Sequence, residues 1–474
     1  MSLAFTSKSL FVSVVIDPDA FILVYDFRKM KRRMLPKSAH KNQVLTCLVA
    51  GLMLCTPFGL QYSLVGQATS STFLKYEVTD AFAGCIQHNI QIRNPTSQAI
   101  TDGRLTVPLI GNETAHQYTA IQEVSSTFGQ PTILSDSSNN TYAFWENIGI
   151  SPRDSITMEV DYQVLSFSSN YIIDPNQTGS YNRDSELYRT YTQPEPLIES
   201  GSPNIAAEAQ SITSGCTSAY DKVVGIYDFV IKHLHYAVQD EERGALWAFE
   251  NGVGDCSEYS CLFVALCRAV GIPARIEAGF VFHYVGESTE DGHMWSEYFL
   301  ENYGWVPVDA TWRLFNSIDC RHFASIQGKP EMMSYANYVF NSTQDSEIED
   351  TQTVYLRSCS ASELNGNTFM QDVLKTVQKM RQAQVAISAA KLLGGALIFR
   401  PETDGSEQSF LESKMALVEG IENSEVSKLL DSTQGAEAAA RTAWMVVVKT
   451  MATYVSILIV IMVCTLVFLA RRSR

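Results

Sequence analysis

The sequence predicts an α+β protein in four consecutive parts: a β-sandwich, a mixed helix–strand domain, a helical stalk and one C-terminal membrane helix. Three observations carry that prediction. Residues 73–167 alternate apolar and polar side chains in short runs separated by turn residues, the pattern of half-buried strands. Residues 218–312 then pass from helical to strand periodicity. Residues 451–470, MATYVSILIVIMVCTLVFLA, are uncharged and overwhelmingly apolar, over the length an α-helix needs to cross ~30 Å of hydrocarbon.

In chain order, 1–43 is expected to be a cytoplasmic or mis-assigned N-terminal segment and 44–68 a signal peptide or signal anchor. The sandwich takes 69–185 and the mixed domain 200–325. An irregular linker at 326–365 leads to the helical stalk at 366–441 and the membrane helix at 445–470. A basic cytoplasmic tail, 471–474, closes the chain. The orientation follows from charge: RRSR follows the C-terminal apolar run, and Arg28, Lys29, Lys31, Arg32, Arg33, Lys37 and Lys41 precede Val44–Leu60. Basic residues stay on the cytoplasmic side, so the bulk of the chain is expected outside the cell, attached at the cell membrane. The shorter N-terminal run, with Pro57 and a small-x-small site at Gly66-Gln67-Ala68, reads as a secretory signal with an uncleaved anchor as the alternative.

Acidic residues outnumber basic ones, 51 to 35, for a net charge of −16. Phosphate neutralisation needs clustered Lys and Arg, so nucleic acid is excluded as a partner. Asn-x-Ser/Thr sequons at Asn112, Asn139, Asn176 and Asn341 fit an exported glycoprotein. Cys47, Cys55 and Cys464 fall in the apolar segments. Cys85, Cys216, Cys256, Cys261, Cys267, Cys320 and Cys359 do not, and their odd number leaves at least one thiol outside any disulfide. Cys85, Cys216, Cys320 and Cys359 can pair in three ways, and spacing does not choose. The chain has no C-x-x-C pair for a structural zinc and no EF-hand loop for calcium, so no metal and no cofactor are expected.

Within the mixed domain, Tyr220, Val223, Val224, Tyr227, Ile231 and Leu234 mark an amphipathic helix over 218–235. The next helix starts in GVGDCSEYS. Asp255 and Glu258 fit a capping box, Leu262, Phe263, Leu266, Ala269 and Val270 carry the buried face, and Gly271 and Pro273 end it. Cys256 then occupies the first helical position, where unpaired backbone N–H groups and the helix dipole favour thiolate over thiol. Taken alone, such a cysteine is more often a small buried residue. The stretch GHMWSEYFLENYGWVPVDATW (292–312) changes the balance. It reads as a β-hairpin with its turn at 302–304, placing His293, Trp295, Glu297 and Phe299 on one strand face and bringing His293 near Asp309. A histidine that takes a thiol proton, oriented by a carboxylate, is the general arrangement for activating a thiol.

These residues resemble the transglutaminase-like (transglutaminase-core) superfamily, in its membrane-anchored prokaryotic form, over roughly 205–325. The resemblance rests on the Gly-Asp-Cys helix start, the RAVGIPAR helix exit, the His-x-Trp-x-Glu strand and the Gly-Trp-x-x-x-Asp strand. It implies a papain-like α+β fold with Cys256 as nucleophile, His293 as base and acid, and Asp309 as orienting carboxylate. Ala310 departs from the Pro often found after that Asp. The implied chemistry is an acyl-thioester formed from a peptide amide or glutamine and passed to an amine or to water, on a peptide or protein substrate. The Cys256 N–H is the natural first oxyanion donor, and Tyr236 or Trp247 the second. His283, His233 and His235 are weaker candidates for the base. The contrasting reading is a non-catalytic peptide-binding scaffold that keeps the fold.

Met370, Val373, Val377, Met380, Gln384 and Ile387 recur at alternating three- and four-residue steps within 368–395. This pattern fits either a homo-oligomeric seam or a helix packed on its own domain.

Overall fold

The computed structural model describes residues 14–17, 20–23, 73–111, 116–328, 335–341, 348–360, 363 and 366–472. The expected signal peptide or anchor at 44–68 lies outside them, as does Asn112. In the N-terminal segment, Val14–Asp17 pairs antiparallel with Ala20–Leu23.

The strand-rich part opens with β1 (Tyr76–Arg93), β2 (Ile100–Pro108), β3 (Gln117–Ser126), β4 (Thr132–Ser135), β5 (Thr141–Ile150) and β6 (Ser155–Tyr171). Alternation does what it predicts: Ile86, Ile90 and Ile92 of β1 and Met158, Val160 and Val164 of β6 turn into one core with Leu105, Val107 and Trp145. The mixed domain follows with α1 (Pro203–Ile212), α2 (Ala219–His233), β7 (His235–Tyr236), α3 (Gly244–Asn251), β8 (Val253–Gly254) and α4 (Cys256–Ala269). It continues through β9 (Ala274–Val281), β10 (Ser288–Thr289), β11 (His293–Leu300), β12 (Gly304–Asp309), β13 (Leu314–Phe315), β14 (Ser317–Ile318) and β15 (His322–Gly328). Its central sheet runs β13-β12-β11-β9-β15, antiparallel throughout. α4 lies against this sheet, with Leu262, Phe263 and Leu266 fully buried.

The expected irregular linker at 326–365 is corrected. It contains β16 (Asn337–Asn341) and β17 (Glu349–Arg357), which return to the strand-rich part: β16 pairs β2 and β17 pairs β1 along its whole length. One sheet of that part runs β10-β17-β1-β6-β14 with β3 on β6, and the other β16-β2-β5-β4. Only Val354 and Leu356 of β17 are apolar and buried, so polar outer positions dominate its text. A disulfide between Cys85 and Cys359, Cα atoms 5.2 Å apart, ties β1 to the exit of β17, while Cys216 and Cys320 are free.

The helices α5 (Thr368–Leu392), α6 (Arg400–Glu422) and α7 (Val426–Arg472) supply the expected helical stretch and choose between the two readings of its apolar spacing. Met370, Val373, Val377 and Met380 are buried with Phe410, Leu417, Leu429 and, from β6, Leu165 and Phe167. The heptad-like seam is thus occupied by the chain's own residues, and the helices pack on the sheet instead of standing free as a stalk. Along α7, buried positions from Leu429 to Thr450 keep helical spacing. Beyond them the helix is apolar all round, enough in length and composition to cross a membrane.

Candidate active site

The cysteine is set by three local devices. Gly252 closes α3 in the left-handed region at φ 69°, which turns the chain into the two-residue strand β8. β8 pairs in parallel with β7, Gly254 opposite Tyr236. Asp255 then caps α4: its Oδ1 accepts from the Ser257 N–H at 3.1 Å and its Oδ2 from the Gln239 N–H at 3.0 Å. Glu258 completes the capping box by accepting from the Asp255 N–H at 3.1 Å, and its other oxygen accepts from the Arg243 N–H at 2.8 Å. A Cβ at Gly254 would lie 2.3 Å from that of Glu258, so only glycine admits this turn. Cys256 is the first residue of α4 and half-buried.

β11 brings the histidine. Ser260 of α4 donates to the Met294 carbonyl at 3.2 Å, which holds the helix start against the first turn of that strand. His293 Nε2 lies 2.7 Å from Asp309 Oδ2, and Cys256 lines the same cavity as His293. With Nε2 committed to the aspartate, Nδ1 is the nitrogen left for the thiol. Burial opposes charge on this imidazole, but Asp309 and Cys256 outweigh it and raise His293 to about 9. Asp309 is fully buried. Burial alone would raise its carboxyl, yet the bonds from His293 and His322 hold it well below the usual range.

Sequence reasoning missed His322. This residue of β15 places Nε2 3.2 Å from Asp309 Oδ2 and Nδ1 2.9 Å from Asp319 Oδ1. A neutral imidazole has one N–H, so two carboxylates at its two nitrogens require the imidazolium. Burial works against that charge, and the two aspartates more than offset it, raising His322. Asp309 Oδ1 accepts from the Trp312 N–H at 2.9 Å. Trp295 stacks on His293 with centroids 6.0 Å apart and meets His322 edge-on at 5.2 Å. The Asp319-x-x-His322 spacing was the available signal.

His293, Asp309 and His322 also have ligand atoms within 4.8 Å of one another, close enough to consider a metal ion. The donor set does not favour one. With both nitrogens donating, His322 has no lone pair for a cation, and 2.7 Å between His293 and Asp309 is a hydrogen bond, shorter than the ~3.3 Å separation of ligands on a tetrahedral ion with ~2.0 Å bonds.

A cavity of about 460 Å³ opens beside Cys256 and His293. Tyr236 lines it, whereas Trp247 is not among its lining residues and stacks under Arg243 at 5.7 Å. Two of the weaker candidates are engaged elsewhere: His283 is exposed and bonded to Glu287 at 3.0 Å, and His233 bonds the Phe249 carbonyl at 2.7 Å. Burial raises the Cys261 and Cys267 thiols.

Residues 206–310 match the family described as the Transglutaminase-like superfamily, so the chain contains a transglutaminase-like core. Among curated proteins it is similar to the uncharacterized protein YebA of Bacillus subtilis (strain 168), 25% identical over 173 residues, 32% of this chain and 23% of that protein. It is also similar to a protein-glutamine gamma-glutamyltransferase of Pseudomonas aeruginosa, 33% identical over 73 residues, 14% of this chain and 11% of that one. The chain thus spans less than a quarter of the length of these relatives. Among solved structures, a proposed cysteine protease from Cytophaga hutchinsonii aligns over 60% of this chain and 93% of its own at 18% identity and a TM-score of 0.47. The periplasmic domain of TgpA from Pseudomonas aeruginosa bound to ethylmercury aligns over 47% and 89% at 18% identity and a TM-score of 0.27.

Proposed function

We propose that this chain, with its transglutaminase-like core, is a cell-surface thiol enzyme that forms an acyl-thioester from a peptide amide or glutamine and passes it to an amine or to water. One observation carries the reading: His293, 2.7 Å from buried Asp309, shares its cavity with Cys256 at the start of α4. Cys256 is the nucleophile, its thiol proton taken by His293 Nδ1, and Asp309 orients and charges the imidazole.

The thiolate attacks the amide carbonyl carbon, forming the C–S bond. The tetrahedral oxyanion is held by the Cys256 N–H and the Tyr236 hydroxyl. His293 returns its proton to the departing nitrogen as the C–N bond breaks, and ammonia or an amine leaves. An incoming amine or water gives its proton to His293 as it attacks the thioester, and the C–S bond breaks to restore the thiol. The expected setting is the outer face of a membrane spanned by the C-terminal part of α7, with the basic tail inside.

The test is labelling of the purified protein with a thiol-reactive amide mimic, beside Cys256→Ala and His293→Ala. Labelling confined to the unaltered protein supports the assignment, and equal labelling of all three ends it. Ammonia release from a glutamine peptide, with and without a primary amine, then separates transfer from hydrolysis.

A further inference from the structure

The second wall of the cavity comes from the strand-rich part of the chain, outside the residues that match the superfamily. In β1, Ile86, His88, Ile90 and Ile92 share the inward face, so a histidine fills a position its neighbours give to isoleucine. His88 is 1% exposed and lines the cavity. Its Nε2 lies 3.1 Å from Gln352 Oε1, and Gln352 donates its own Nε2–H to the Glu290 carbonyl at 2.7 Å, which fixes the amide with its oxygen toward the ring. Nε2 of His88 is therefore the donor, and Nδ1 carries a bare lone pair. Among the described residues nothing donates to it. An unsatisfied buried acceptor is costly, and a ligand N–H would relieve it.

Ser325 repeats the pattern. β15 pairs Ile326 with Ala278 and Ala324 with Gly279, leaving Ser325 as the extra residue of a β-bulge, a device that re-aims a side chain. A Cβ at Gly279 would lie 2.0 Å from the Phe323 carbonyl oxygen, so glycine there permits the bulge. Ser325 is 8% exposed and lines the cavity, and its hydroxyl has no partner among the described residues. Asp240, Glu241, Glu242, Asp255 and Asp291 line the same cavity, and among the described residues no Lys or Arg does.

We propose that His88 and Ser325 form a subsite for a cationic side chain, the lysine or arginine of a peptide substrate next to the residue attacked by Cys256. The proposal rests on the thiol-enzyme reading. Nδ1 of His88 and Oγ of Ser325 accept the N–H groups, and the acidic lining supplies the field. β9 separates β15 from β11 in the sheet order, so His88 and Ser325 sit on strands other than the one that carries His293, and the subsite reads a residue beside the one attacked.

The test uses peptides bearing a side-chain chloroacetamide in place of glutamine, with lysine or norleucine on either side, against the full chain in detergent. A charge-assisted hydrogen bond predicts alkylation of Cys256 about tenfold faster by a lysine probe than by its norleucine twin. The ratio falls toward one at high salt, and to within about twofold in His88→Leu and in Ser325→Ala. The salt measurement needs no variant, so a misfolded His88→Leu does not remove the test. Equal rates for lysine and norleucine in both positions, or a ratio that neither variant moves, overturn the subsite and leave the thiol reading intact. Failure of every probe to label Cys256 overturns the thiol reading itself.

Discussion

His322 presents Nε2 3.2 Å from Asp309 Oδ2, the oxygen that His293 holds at 2.7 Å. Asp309 thus divides its charge between two imidazoles, and the positive charge of His322 weakens its hold on His293. In His322→Gln that charge is gone and the His293 imidazolium gains stability. The alkaline limb of kcat/KM for ammonia release, expected near 9 from His293, should therefore move upward. A plateau about tenfold lower should accompany it as Asp309 loses a charged donor. A pH profile of the variant settles it: an unmoved or lowered limb contradicts this role.

The cap of α4 makes a second prediction. Asp255→Ala removes acceptors for the Ser257 and Gln239 N–H groups and should cost about 1–2 kcal/mol, with a fall in Cys256 alkylation as the helix start loosens. Asp255→Asn keeps one oxygen acceptor and should recover most of both. Thermal melting and iodoacetamide labelling of the pair measure this.

The parts of the site legible in the sequence were those set by neighbours in the chain. The capping box, the cysteine at the first helical position and the hairpin joining His293 to Asp309 each lie within a few to a score of residues. His322 and His88 were not legible, because strand pairing alone brings them to the cavity. β17 was missed because Glu349, Asp350, Thr351 and Thr353 outweigh Val354 and Leu356 in its text. The apolar spacing of α5 was visible, but spacing does not say whether the partner is another copy or the chain's own β6.

Acid should destabilise the fold through His88. Burial lowers it from 6.5 to about 4, so between those values the unfolded chain binds a proton that the folded chain refuses. Stability is full above pH 6.5 and falls as pH drops toward 4, by roughly 3 kcal/mol. In His88→Leu the melting temperature should fall less between pH 7 and 5. His116, lowered by burial to about 3, keeps part of the slope.

The disulfide gives a further expectation. Peptide mapping without reduction should recover Cys85 linked to Cys359, with Cys256 alkylatable. Cys85→Ser should lower stability by about 2–4 kcal/mol, read as an earlier melt that added reductant no longer shifts.

The most direct measurement of the central claim is the rate of iodoacetamide alkylation at Cys256 from pH 5 to 9 in the unaltered protein and in His293→Ala. If His293 takes the thiol proton, the unaltered protein is alkylated at least tenfold faster than the variant within that range. Superimposable curves would contradict the account.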